Sequence, residues 1–393
     1  MAGALDGLKI LDLTRILAGP TCTQLLGDLG AEIIKIENPA TRGDDTRAWG
    51  PPFVTGADGQ PTDLSAYFMC ANRNKLSVAV DIATPEGQQT IRALAAQCDV
   101  FIENFKPGGL AKYGLDHETM LKAHPALVYC SISGYGQTGP NAAKPGYDLM
   151  AQGFGGIMSL TGETDGAPMK VGVGIADVMC GMYATVGILA ALRHRDATGQ
   201  GQHVDVALVD SQIAWLINEG VNYLTSGQVP QRRGNAHPNI VPYQVFAAAD
   251  GHLLVAVGND GQFARFCDYI GRPDLARDPR YATNPARLAH RDTLIPTLEP
   301  LLAARPTADI VAGLEARGVP VGPVQTLDQV FASDQVKARG MIAELPVGNT
   351  EKGHVRLVGN PLHLSASPVT YRRAPPRFGQ DTAEVLARLG AKP

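Results

Sequence analysis

LKILDLTRILAGPTCTQLLGDLGAEIIKIE, residues 8–37, sets a helix-length pattern between two short apolar runs. Lys9 to Leu13 is apolar and leads into Asp12 and Thr14, a Gly-Pro turn follows, and a helical pattern covers Thr21 to Leu29. Ala31 to Ile36 is apolar again and closes on Glu37. Strand, helix and strand over that length make a βαβ unit. A dinucleotide-binding fold carries an acid at the end of its second strand, where Glu37 stands. LTRILAGPTCTQ, however, has no GxGxxG, so the glycines that would admit a pyrophosphate are missing. The expectation is a Rossmann-like architecture without the NAD fingerprint.

The same alternation continues downstream. Leu76 to Val80 reads as a strand, and Thr84-Pro85-Glu86 opens a helix in the usual manner, with proline in its first turn. Asp99 to Glu103, Ala126 to Ser133 and His203 to Leu208 are further strands, and Asp210 to Leu216 is a helix. Strand and helix alternating over about 200 residues predicts a mostly parallel sheet. Asn38 to Asp63, rich in Pro, Gly and charge, reads as a surface loop. Near Thr225 the composition turns polar and Pro-broken, Gly251 to Val257 alternates like a hairpin strand, helical patterns run to Leu314, and Gly318 to Val324 is extended. The predicted organisation is α/β: a large Rossmann-like domain of residues 1–220 completed by a returning segment 330–393, with a smaller α+β domain at 221–329.

At 393 residues, two domains are expected. A net charge of −4 offers no basic face for nucleic acid and no polybasic membrane anchor. MAGALDGLKILDLTR lacks the basic and apolar regions of a signal peptide, and no uninterrupted apolar run of about 18 residues suggests a membrane span. Six cysteines without CxxC spacing read as reduced thiols, so a cytoplasmic setting is expected, with no metal site.

Asp177 is the residue that draws attention. It lies between the small-residue run Val171 to Ala176 and an apolar helix of about Val178 to Arg195. At or beside a helix N-cap, free N–H groups and the positive end of the dipole favour an ionised carboxylate, and a held carboxylate can act as a covalent nucleophile. The plain alternative is an ordinary helix cap.

Around it stand Gly146-Tyr147-Asp148, Gly155-Gly156-Ile157-Met158, Thr161-Gly162-Glu163, Asp165-Gly166 with Pro168, and a glycine-spaced run ending in Ala176-Asp177. Together with Leu8 to Thr14, Ala18-Gly19-Pro20 and Gly379-Gln380-Asp381-Thr382, they resemble the class III CoA-transferases, the CaiB/BaiF family, and GNAHPNIVPYQVF is most similar to the branch handling succinyl-CoA with short dicarboxylates. The resemblance implies an interlocked homodimer and a covalent aspartyl-CoA intermediate on Asp177. CoA thioesters and carboxylic acids would be the substrates, with no tightly bound cofactor. It also implies a CoA site at Arg15, Ala18, Arg42, Arg47, Lys75, Asn104, Phe105 and Lys112, and substrate or oxyanion contacts from Tyr147, Gly234, Asn235 and His237. Some members carry a glutamine near the end of the first strand, where this chain has Leu17. An α-methylacyl-CoA racemase resembles the chain too, but uses a histidine where Tyr147 stands, and tyrosine, titrating near ~10, is a poor base at neutral pH. A CoA-binding protein without turnover is the third reading.

Overall fold

The structure, a computed structural model, describes residues 3–390. The chain divides into two compact units. The first comprises residues up to Ile157, Lys170–Gln228 and residues from Asp334 onward; the second comprises Met158–Met169 and Val229–Ser333. Residues 158–169, expected in the large domain, thus go with the smaller unit.

The first unit is built on six parallel strands: β1 (Lys9–Asp12), β2 (Glu32–Glu37), β3 (Lys75–Ala79), β4 (Val100–Glu103), β5 (Val128–Ser133) and β6 (His203–Ala207). Their order is β3-β2-β1-β4-β5-β6. Alternate side chains serve opposite faces. Ile10, Ile33, Val100, Ile102 and Cys130 pack with Cys22 and Leu26 of helix α1 (Ala18–Asp28), while Leu11, Ile34, Val78, Phe101 and Tyr129 pack with Ile91 and Leu94 of α2 (Pro85–Ala95). Burial on both faces is why these strands read as apolar runs and not as strict alternation. The sheet reverses its direction of growth between β1 and β4, and such a switch point opens a crevice at the C-terminal strand ends.

Further helices of this unit include α3 (Asp148–Phe154), α4 (Ile175–Thr198) and α5 (Leu208–Ala214). Cys180, Ala184, Ile188 and Ala191 bury one face of α4 against the sheet and α1. The approach to α1 is so close that a Cβ on Gly181 would lie 2.5 Å from the Ala18 carbonyl oxygen. By length and composition alone α4 is apolar enough to cross a membrane, with a mean hydropathy of 1.8 over its most apolar stretch, 44% of which is buried inside the protein. Its small residues pack tightly on one side, and its other side exposes Met182, Tyr183 and Val186.

Two stretches read as loop contain structure. Phe53–Thr55 pairs antiparallel with Pro61–Ser65, and Ile342–Pro346 pairs with His354–Val358. Leu64, Phe68, Leu345, Val347, Val355 and Leu357 form one small core from both stretches. The chain then returns to β3. Ser77 N–H donates to the Asp381 carboxylate at 2.9 Å and Ala79 N–H to Thr382 Oγ1 at 2.9 Å, so the sheet's edge is occupied. The Arg372 guanidinium donates to the carbonyls of Gly27, Gly30 and Ala31, satisfying the C-terminal end of α1.

In the second unit, Tyr243–Ala248 and Gly251–Ala256 form a hairpin joined by Val321–Pro323, an α+β arrangement whose core includes Phe246, Leu253, Phe263, Phe266, Leu298 and Leu314. Arg287 is fully buried there, donating to the Val241 and Tyr281 carbonyls and to Asp260.

Candidate active site

Helix α4 begins at Ile175 behind Gly174, whose N-cap position has no side chain to offer. Asp177 therefore stands inside the first turn and not at the cap, one correction to the sequence reading. A second concerns its charge. Burial, and then the neighbouring Asp148 carboxylate, push the Asp177 carboxyl up to about 7, so the acid is only partly ionised at neutral pH.

The missing cap comes from α3. Asp148 Oδ1 accepts from Ala176 N–H at 2.9 Å, and Asp148 Oδ2 accepts from Gln152 Nε2 at 2.7 Å. Gln152, fully buried, turns its Oε1 to Val171 N–H at 2.8 Å. The glycine-spaced run before Asp177 is thus fixed at both ends by one helix. At the start of α1, Leu17 lies against Gly174: a Cβ there would meet Leu17 Cδ2 at 3.0 Å. The first turns of α1 and α4 are neighbours, and Ala18 lies in that contact through its backbone. Tyr67 is within electrostatic range of both acids. Burial, then Asp177, raise its phenol to about 12, so it remains a donor, and its ring meets Trp49 edge-on at 5.1 Å.

The crevice between β1 and β4 brings Arg15 and Asn104 together. Arg15 N–H donates to Asn104 Oδ1 at 3.0 Å and Asn104 Nδ2 returns to the Arg15 carbonyl at 2.8 Å. Phe105 N–H donates to Glu103 Oε2 at 2.7 Å; that carboxyl is raised to about 7 by burial. Ile16 takes a left-handed φ of 73°, unusual for a β-branched residue, and its N–H donates to Asp44 Oδ1 at 3.2 Å. The Arg15 side chain pairs with Asp45 at 2.6 Å and stays half exposed. Arg42 and Lys112 are exposed cations, the latter 4.7 Å over the Tyr113 ring.

Arg47 and Lys75 are not available to a phosphate. Arg47 forks onto Glu37 at 2.8 and 2.6 Å, reaches Asp63 at 3.2 Å and lies over Phe68. Lys75, fully buried, donates to the Pro20 carbonyl and Asn72 Oδ1, both at 3.0 Å, with Asp12 at 3.4 Å. Beside them the buried Lys35 ammonium meets Asp44 at 2.9 Å. Each cation answers a buried carboxylate, so Glu37 is the anchor of an internal ion network and not a ribose acceptor.

Tyr147 occupies the N-cap position of α3 without a side-chain capping bond and is 63% exposed. Gly234, Asn235 and His237 belong to the second unit. Gly234 adopts a φ of 58° and its N–H donates to the Gly162 carbonyl at 3.1 Å; Asn235 is exposed. His237 Nδ1 accepts from Asn239 N–H at 3.1 Å, which leaves Nε2 as the donor, and its carbonyl accepts from Arg291 at 2.5 Å. Its ring lies 5.0 Å from that of Tyr243.

The sequence reading named Asp148 only within the Gly-Tyr-Asp motif, left Trp49 inside the 38–63 loop, and gave Gln152 and Tyr67 no role. Only the packing of α3 on α4 shows what Asp148 and Gln152 do. Among the described residues, no group of three or more His, Cys, Asp or Glu is placed to hold a metal ion.

The model of the family described as CoA-transferase family III matches residues 5–382. A succinate–glutarate CoA-transferase from Agrobacterium fabrum is 48% identical over 386 residues, covering 98% of this chain and 95% of that protein. A succinyl-CoA:mesaconate CoA-transferase from Haloarcula hispanica is 37% identical, covering 99% and 97%. The crystal structure of a CaiB/BaiF family protein from Brucella suis superposes with a TM-score of 0.88 at 46% identity, covering 99% of this chain and all of that one. With a match over nearly its whole length, and an acid in the first turn of a core helix, the chain is a member of CoA-transferase family III.

Proposed function

We propose that the protein transfers CoA from succinyl-CoA to a short dicarboxylic acid through a covalent intermediate on Asp177. The observation that carries this reading is the Asp177 carboxylate itself, half-buried in the first turn of α4. The names of the relatives support the choice of donor and acceptor class. Ionised, Asp177 attacks the thioester carbonyl; the carbon–sulfur bond breaks, CoA leaves as thiolate, and a mixed anhydride remains. The thiolate attacks the aspartyl carbonyl, releasing succinate and giving an aspartyl-CoA thioester. The acceptor carboxylate takes the same path in reverse and leaves as its CoA ester. A carboxyl raised to about 7 is a stronger nucleophile once ionised than an ordinary aspartate. The N–H groups of the adjoining helix turns and the Tyr67 hydroxyl are donors for the oxyanions. The crevice at Arg15 and Asn104 is the proposed CoA site, with Arg42 and Lys112 as exposed cations for its phosphates. His237, donating through Nε2, is the proposed ligand of an acid substrate's carboxylate.

The exposed apolar side chains of three helices, Leu149 and Phe154 on α3, Met182 and Val186 on α4, and Ile213 on α5, support a homodimer that covers them. The test of the chemistry is mass spectrometry of the protein incubated with succinyl-CoA and a panel of carboxylic acids. New CoA esters together with a CoA adduct on the peptide carrying Asp177 are expected, and Asp177→Ala should give neither. Full transfer by that variant would refute the reading.

A further inference from the structure

We propose that Asp148 is the positioning residue for Asp177, acting from α3 as the N-cap that α4 lacks and as the fixed negative charge against which Asp177 ionises. This rests on the reading of Asp177 as nucleophile. Helix N-caps normally come from the preceding residue of the same chain segment, and here that residue is Gly174. Asp148 replaces it from a neighbouring helix, its Oδ1 accepting the Ala176 N–H at 2.9 Å, one residue before Asp177. The hydrogen bonds run in one direction only. Val171 N–H donates to Gln152 Oε1, Gln152 Nε2 donates to Asp148 Oδ2, and Ala176 N–H donates to Asp148 Oδ1. Every proton in this relay comes from a group that can only donate, so the relay ends on a residue that must accept twice. A carboxylate satisfies that demand. An asparagine would satisfy the Ala176 N–H but turn an amide N–H toward the Gln152 amide; flipping Gln152 would relieve that clash and create another at Val171 N–H.

A cap on Ala176 fixes the first turn in which Asp177 sits, so a rate that depends on near-attack geometry should depend on Asp148. The second consequence is electrostatic. The titratable groups facing the Asp177 carboxyl are Asp148 on α3, Tyr67 ahead of β3 and Cys180 on α4 itself; Asp210 of α5 acts on Cys180. Tyr67 and Cys180 are both pushed to about 12, chiefly by burial, and keep their protons through neutral pH. The charge that varies with substitution is therefore that of Asp148.

The test compares the wild type with D148N and D148A. Two quantities are followed: the rate of CoA adduct formation at Asp177 from succinyl-CoA as a function of pH, and hydrogen exchange at the Val171 and Ala176 amides. Expected in D148A is a loss of Ala176 protection with adduct formation slowed ten- to a hundredfold and the KM for succinyl-CoA within twofold. In D148N, which keeps the size and one acceptor, Ala176 protection is largely retained and the rate falls less. In both variants the midpoint of the pH–rate profile should move to lower pH by at least half a unit. Wild-type rate and midpoint in D148A would overturn the proposal, as would a rate loss in D148N with the midpoint unmoved, which marks a purely structural role. Absence of an Asp177 adduct in the wild type, with CoA still transferred, would instead refute the nucleophile, and the positioning role would fall with it.

Discussion

Asp177 ionises against two opposing influences, burial and the Asp148 carboxylate, with only the N–H groups of its helix turn in its favour. Its carboxyl is raised, so the folded state holds its proton where the unfolded chain has released it. Stability on this account declines as pH rises from the ordinary aspartate value near 3.8 and levels off above about 7. Asp177→Asn should therefore be more stable than the wild type, by a margin that widens between pH 4 and 7 and stays constant above; urea midpoints across that range measure it. Over the same interval kcat/KM of the wild type should rise, because the ionised acid is the attacking form. A buried charge elsewhere gives the opposite outcome. Asp44→Ala strips Lys35 of its carboxylate and Ile16 N–H of its acceptor, and should cost about 3–5 kcal/mol by chemical denaturation, as expected for half of a buried ion pair. At this scale the sequence singled out Asp177 by motif, and its assignment of Arg47 and Lys75 to CoA fails because both are buried against acids. A cation's availability depends on which acid folds against it, and the partners Glu37 and Asp12 lie on β2 and β1.

Among elements, α1 lies in close contact with the first turns of α4, the helix that carries Asp177. Gly181→Ala would set a methyl 2.5 Å from the Ala18 carbonyl and 3.1 Å from Thr21 Cβ, forcing the helices apart. We expect a loss of roughly 1–3 kcal/mol, typical of overpacking, with kcat falling alongside it because the first turn of α4 moves. Thermal denaturation and steady-state kinetics on one preparation check both. The strands of the main sheet were legible because parallel strands buried on both faces appear as apolar runs. Phe53–Thr55 and Ile342–Pro346 were not, since each is short or half exposed and completes a core only with the other. The 24-residue α4 was legible as a helix, though its start was placed late, because Gly174 announces no cap and the true one arrives from Asp148.

At the scale of the molecule, the exposed apolar residues of α3, α4 and α5 predict a partner surface. Val186, 64% exposed, is its clearest marker. Val186→Glu should convert a dimer into monomers, read by sedimentation velocity, while leaving circular dichroism unchanged; an unaltered sedimentation coefficient would place the interface elsewhere. No periodicity in the sequence distinguishes such a face from core, because both are apolar. The parallel architecture with a returning C-terminal segment was visible, but the return's purpose was not: Asp28, Arg73 and Asn74 find partners at Val358, Asn360, Thr370 and Arg372, 285 to 332 positions downstream. That separation has a bearing on synthesis. While the ribosome is still translating the second unit, β3 has an open edge and Asp28 lacks the Asn360 amide that later helps to hold it. The second unit has most of its partners in one continuous stretch and can consolidate on the nascent chain. The first must wait until residues 360–382 have emerged, and in that interval the open edge of its sheet can pair with another strand.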